Sequence, residues 1–251
     1  MDIKQLNILT YKELKDIATD MDIEIPRKKE DLILEMLRCF KKYEKYKKEK
    51  VDKYVKIKQL GEKGKEGTTY LVKIRESKES KESKEYAMKT FKKTKSSDRI
   101  RKEADLQEKA SKYGISPEVI EIDTISKYIV MEKMDMHLYD KMKEQNGDIT
   151  ETQQKQIIKI FKLLDKAKVF HGDSNILNYM FKGKKLYIID FGMSQYIDDK
   201  LVKKLGVDTP NFSLMNLGFI LKLKELRCPS SSYSYLLTFV SNKDKSKYDL
   251  V

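Results

Sequence analysis

Residues 171–178 read HGDSNILN, and residues 188–192 read IIDFG. The decisive features are three polar side chains and the intervals between them. Asn178 follows Asp173 by five residues, and Asp190 follows Asn178 by twelve, after the strand-like LYII. Phosphoryl transfer asks little covalent chemistry of a protein and much positioning. One carboxylate must orient the incoming hydroxyl and take its proton, and Asp173 has that place. A second carboxylate, Asp190, and a side-chain amide, Asn178, suit a Mg²⁺ ion held across phosphates. DFG alone is a weak signal. The plainer alternative, a loop whose Asp and Asn residues only cap turns, does not require this order and spacing.

These motifs resemble the protein-kinase-like superfamily. The resemblance implies ATP and Mg²⁺ as cofactors and assigns further positions. Lys89, in Tyr86-Ala87-Met88-Lys89, matches the strand lysine that contacts the α- and β-phosphates. Its carboxylate partner is expected on the following helix: Glu103 is the first choice and Glu108 the runner-up. In LGEKGKEGTTYLV, residues 60–72, Gly61, Gly64 and Gly67 match a phosphate-covering loop, with the first glycine displaced by one. Glycine there lets backbone approach phosphate. Val72 and Ala87 are expected to line the adenine pocket. Met131-Glu132-Lys133-Met134 resembles the hinge that reads adenine through its backbone, which assigns Glu132 and Met134 to the nucleotide. His137 is read as structural.

Several positions depart from the family pattern. Gly172 replaces the arginine common in HRD, which implies activity without activation-loop phosphorylation. HGD also occurs in RIO-like, aminoglycoside-phosphotransferase-like and other atypical branches. Asn175 stands where many protein kinases have a lysine near the γ-phosphate. No clear A-P-E follows Gly192. FSLMNLGFILKL resembles the central helix of the C-lobe, with Ser213 at the usual aspartate. The substrate platform is expected to be reduced, as in the compact kinases of large DNA viruses.

Around this core the pattern is α+β: a two-lobed kinase-like fold, β-rich first and helical afterwards, preceded by a small helical module. Strands are expected in YVKIKQL, TYLVKIR and EYAMKTF, and at about 118–123 and 127–132. Helices are expected at about 97–113, 136–145, 150–168 and 212–226. The repeat SKESKESKE reads as an exposed loop. The divisions are 1–40 for the module, 41–52 for a charged helical extension or linker, 53–134 for the N-lobe and 135–251 for a reduced C-lobe.

In residues 9–37 two apolar stripes, Leu14, Ile17, Ala18, Met21 and Leu32, Ile33, Met36, Leu37, flank a joint containing Pro26. Thr10, with Glu13 three residues on, has the form of a helix-starting box. This segment resembles a SAP motif, a helix-extended-helix module that binds DNA, without its usual glycine. The resemblance implies phosphate contacts from Arg27, Lys28 and Lys29; a protein-docking pair of helices is the alternative.

The 251 residues carry 53 Lys and Arg against 40 Asp and Glu, a formal charge of +13. That balance suits polyanionic partners or a lysine-rich solvated surface. Cys39 and Cys228 stand far apart and outside any metal-binding pattern, which disfavours a disulfide framework or zinc site. No secretory leader and no membrane-spanning run is read in the sequence, so a soluble intracellular protein of cytoplasm or nucleus (or a virion) is expected. The leading expectation is a kinase for protein Ser or Thr. A small-molecule kinase and a non-catalytic nucleic-acid-binding or scaffolding pseudokinase are the alternatives.

Overall fold

Helix formation near the N-terminus has a local cause. The Glu13 N–H donates to the Thr10 hydroxyl at 3.3 Å, and the Thr10 N–H donates to the Glu13 carboxylate at 2.8 Å. The box satisfies donors that a first helical turn leaves unpaired. It starts α2 (Tyr11–Asp20), which follows a short α1 (Ile3–Ile8) and precedes α3 (Lys29–Val51). The computed structural model describes residues 3–21, 23–51, 53–62, 64, 66–75 and 84–250, with backbone alone at 3–5, 16, 20 and 42–51. Up to Ser83, the SKESKESKE loop lies outside the described residues.

Leu6, Leu14, Ala18, Ile23, Leu32, Ile33 and Met36 are buried together, with Cys39 packed at the edge. Each large aliphatic member contributes about 1.5–3 kcal/mol by leaving water. The Tyr11 hydroxyl donates to the Pro26 carbonyl and ties down the extended joint. The module therefore has three helices where two apolar stripes were legible. Residues 41–51 continue α3 and do not break from it. Lys, Glu and Tyr, with no Gly or Pro, leave nothing to end the helix.

The chain divides into two units: Met1–Lys102 with Ile120–Glu132, and Glu103–Val119 with Lys133–Val251. Beyond the helical module, the first unit contains a five-stranded sheet in the order β1-β2-β3-β5-β4. Its strands are β1 (Tyr54–Leu60), β2 (Gly67–Ile74), β3 (Glu85–Phe91), β4 (Val119–Asp123) and β5 (Tyr128–Glu132), with α4 (Ser97–Ser111) between β3 and β4. β2, β3 and β5 pair antiparallel without register breaks. Alternation then sorts the faces. Val72, Tyr86, Met88, Tyr128 and Val130 form one buried cluster. Leu71, Ala87 and Ile129 are buried on the other face.

In the second unit, β6 (Met136–His137), α5 (Leu138–Glu144) and α6 (Glu151–Lys166) come first. β7 (Val169–Phe170) pairs with β10 (Gln195–Tyr196), and β8 (Tyr179–Lys182) pairs with both β9 (Lys185–Ile188) and β6 in a three-stranded sheet, β6-β8-β9. Then come α7 (Asp199–Leu205), a π-helical turn at Asn211–Met215, α8 (Asn216–Glu225), α9 (Ser234–Leu237) and α10 (Asn242–Lys247). Phe161, Tyr179 and Phe219 meet edge to face at the centre, with centroids 5.0–6.5 Å apart. Leu106 and Ala110 of α4 share this core, as do residues as late as Leu250. No helix among the described residues is long and apolar enough to cross a membrane.

Candidate active site

The second unit brings the three motif residues together through short-range turns. β7 leads into His171, and Gly172 turns the chain at φ +77°. A Cβ there would also sit 3.2 Å from the Met193 carbonyl oxygen, so an arginine at this position would need a different backbone. Asp173 then accepts from the Asn175 N–H at 3.0 Å. Asn175 in turn caps a 3₁₀ turn at Ile176–Asn178 by accepting from the Leu177 N–H at 3.0 Å. That turn delivers Asn178, whose Nδ2 donates to Asp173 Oδ2 at 2.8 Å. The expected base and the expected metal-binding amide are thus direct partners. Asn178 spends its donor side on Asp173, which leaves Oδ1 as the atom suited to a cation.

Asp190 is exposed and holds a left-handed backbone, φ 65° and ψ 79°. Such a conformation is uncommon for a residue with a side chain and concentrates at functional sites. Gly192 N–H donates to Asp190 Oδ1 at 3.3 Å. Phe191 is buried against the His171 ring, with centroids 5.0 Å apart. His171 links the two motifs: Nδ1 faces the Asp173 carbonyl at 3.1 Å and Nε2 the Ile189 carbonyl at 3.0 Å. Ser194 Oγ donates to the His171 carbonyl at 3.1 Å. Burial pushes the imidazole below its ordinary value, opposed by the Ile189 carbonyl and the nearby Asp173 and Asp190 carboxylates, and the ring serves as a brace.

The brace is anchored from below by residues outside the motif. Asn211 Oδ1 accepts from the His171 N–H at 3.0 Å, and Asn211 Nδ2 donates to the Val169 carbonyl at 2.8 Å. Asp165 of α6 accepts from Asn211 N and Nδ2 at 3.0 and 2.7 Å, and from Phe212 N at 2.9 Å. Burial pushes the Asp165 carboxyl up, opposed by these hydrogen bonds. These contacts are made by Asn211, two residues before Ser213. At Gly218, α8 approaches so closely that a Cβ would lie 2.5 Å from Ser174 Oγ.

In the first unit, Lys89 lies opposite Thr69 and Ile129, with Nζ 5.4 Å from the Phe91 ring centroid. Ala87 shares its face. Val72 does not: it pairs with Tyr86 and faces the buried cluster on the other side. The expected adenine-lining pair is therefore split, because the two positions differ in strand parity. Leu71 and Thr69 are the β2 residues on the Lys89 face. Gly61 is exposed with φ +67°, and Gly64 is exposed. Gly67 opens β2, where a Cβ would fall 2.0 Å from the Thr90 carbonyl oxygen, so strand packing explains that glycine. Glu66 of the same loop pairs with the buried Lys95 at 2.5 Å. Glu132 ends β5 opposite Tyr86, and Met134 is buried in the second unit.

On α4, in the second unit, Glu103 is only 3% exposed while Glu108 is half-buried. Burial of a carboxylate is costly unless it is paired or hydrogen-bonded. His137 Nδ1 lies 2.9 Å from the Leu177 carbonyl, a structural contact at the start of α5. Arg27 and Lys28 are exposed before α3, and Lys29, its first residue, donates from Nζ to the Asn7 carbonyl at 3.3 Å. Beside the loop at residues 171–178 a cavity of about 260 Å³ is lined by Tyr139, Asn175, Ile176, Leu177, Lys222, Glu225 and Leu226.

The RIO domain model matches residues 43–205. The KEOPS complex subunit Bud32 of Pyrococcus abyssi (strain GE5 / Orsay) is 31% identical over 117 residues, covering 44% of this chain and 50% of that protein. The chain thus spans about half the length of that relative.

Proposed function

The chain belongs to the RIO domain family of atypical, protein-kinase-like proteins, and from that premise we propose that it transfers the γ-phosphate of ATP to a protein serine or threonine hydroxyl. The observation that carries this reading is the Asp173–Asn178 hydrogen bond at 2.8 Å, held in a loop linked through His171 to the strained Asp190. Asp173 orients the acceptor hydroxyl through one carboxylate oxygen and receives its proton as the bond from that hydroxyl oxygen to the γ-phosphorus forms and the bond to the β–γ bridging oxygen breaks, with ADP leaving. Lys89 binds the α- and β-phosphates, and Glu103 positions Lys89. Asn178 Oδ1 and the Asp190 carboxylate are hard oxygen donors, the set that Mg²⁺ prefers. When bound, Mg²⁺ supplies charge neutralisation on the phosphates. Ala87, Leu71 and Thr69 face the nucleotide from the sheet, and the backbone at Glu132 and Met134 reads the base.

Radiolabel transfer from γ-labelled ATP to basic and acidic proteins tests this reading. Labelling by the wild type and none by Asp190→Ala is expected; equal labelling by both would refute it. A small-molecule acceptor is the second reading, favoured by the cavity of about 260 Å³ beside Asn175. It predicts ATP turnover on a metabolite without protein labelling.

The N-terminal helices, with Arg27, Lys28 and Lys29 around the start of α3, form a SAP-like module in this proposal and bring the enzyme to DNA. Phosphate contacts of that kind are strongly salt-dependent and weakly sequence-selective. Replacing all three by Glu is expected to abolish binding to duplex DNA at low salt. Unchanged binding would assign the module to a protein partner.

A further inference from the structure

Tyr196 ends β10, where it pairs with Val169, two residues before His171. Its hydroxyl donates to Asp105 Oδ2 at 2.6 Å, joining positions 91 residues apart. One turn beyond Asp105, the Lys109 ammonium lies 5.7 Å from the Tyr196 ring centroid. The tyrosine therefore rests on the face of α4 that carries Asp105 and Lys109. Glu103 lies two residues from Asp105, about 200° around a helix, and is buried where Asp105 is half-exposed. The carboxylate beside it pushes the Tyr196 phenol up to about 12, so the hydroxyl remains a donor across the physiological range.

We propose that Tyr196 and Asp105 form a strut between the segment following Asp190 and the second half of α4, and that the strut acts as a positioning element for Glu103. Rotation of α4 about its axis would move Glu103 out of its buried site. The Tyr196 bond opposes that rotation from another side of the helix. The segment after DFG thereby reports its conformation to Glu103, through one hydrogen bond and without a phosphorylated residue. This inference rests on the reading of Glu103 as the positioning carboxylate.

The test uses the full chain and four variants: Tyr196→Phe, Asp105→Ala, Asp105→Asn and the double variant Y196F/D105A. Amide hydrogen exchange over residues 103–111 needs no turnover. Y196F and D105A are each expected to speed it about five- to ten-fold, the scale of one partly exposed hydrogen bond to a charged acceptor. D105N keeps an acceptor oxygen and should stay within about two-fold of wild type. In steady-state phosphotransfer, kcat should fall about ten-fold in Y196F and D105A, with the double variant no worse than either single one. KM for the acceptor should be unchanged. Exchange at the wild-type rate in Y196F overturns the strut. Faster exchange with unchanged kcat overturns the positioning role, as does additivity in the double variant. If wild type itself transfers no phosphate, the functional reading fails and the exchange result still decides the strut.

Discussion

Replacing Asp165 by Asn changes one atom and should release the catalytic loop. In the native protein three donors converge on this carboxylate: two buried ones on Oδ1, from Asn211 N and Nδ2, and a partly buried one on Oδ2, from Phe212 N at 2.9 Å. The asparagine oxygen can keep the first two. Its NH₂ group must then face the Phe212 N–H, donor against donor. A buried donor left unpaired costs about 1–3 kcal/mol, and losing the acceptor's charge weakens the remaining bonds by roughly 1 kcal/mol more. The expected loss is about 2–4 kcal/mol. Asp165→Ala bares all three donors and should cost on the order of 5 kcal/mol after partial rescue by water. The chain has no Trp, so urea unfolding is followed by circular dichroism. With a slope of about 2 kcal/mol per molar, a loss near 3 kcal/mol moves the midpoint by about 1.5 M. Because Asn211 carries the strain directly to His171, two residues before Asp173, kcat should fall at least about ten-fold in the remaining folded protein. A D165N variant with the wild-type midpoint and wild-type kcat would refute the view that this carboxylate holds the loop.

Other expectations follow from close approaches of the backbone. Gly67→Ala would drive a methyl to 2.0 Å from the Thr90 oxygen, and thermal unfolding should show β2 and β3 weakened by about 3 kcal/mol. Gly172→Ala should cost about 1–2 kcal/mol for its left-handed backbone and lower kcat more than KM for ATP. Gly218→Ala pushes on Ser174, so turnover should drop, and the double variant G218A/S174G, which removes the atoms it meets, should recover most of it. Phe161→Ala should cost about 3–5 kcal/mol in urea unfolding, because its ring is fully buried between Tyr179 and Phe219.

The motif was legible because its chemistry is written in side chains at fixed intervals. Long elements were legible through their periodicity: α4, β5 and α6 begin and end close to the expected residues. β7 and β10 escaped because strands of two residues carry no alternation to detect. α7 did carry a signal, since Asp198 caps it and Gly206 closes it at φ +70°, but at seven residues it spans barely two turns and shows little periodicity. The π-helical turn that leads into α8 left no mark in the sequence, because its apolar residues read equally well as the first turn of an α-helix. Val72 was misplaced on the nucleotide face because a sequence match fixes neighbourhood, while parity along a strand fixes direction.

Asn211 has a consequence for the architecture of β7. The Val169 carbonyl and the His171 N–H point to the same edge of that short strand, where a neighbouring strand would ordinarily bond both. Asn211 bonds both with one carboxamide, accepting from His171 at 3.0 Å and donating to Val169 at 2.8 Å, while β10 occupies the opposite edge. A single side chain thus impersonates a peptide unit of a missing strand. That role dictates its identity: aspartate has no donor for Val169, glutamine carries the same group one methylene too far, and serine cannot bridge two backbone groups set a strand repeat apart. A segment of chain that larger sheets would need at this edge is replaced by one amide on a turn, and the loop carrying Asp173 and Asn178 hangs from it.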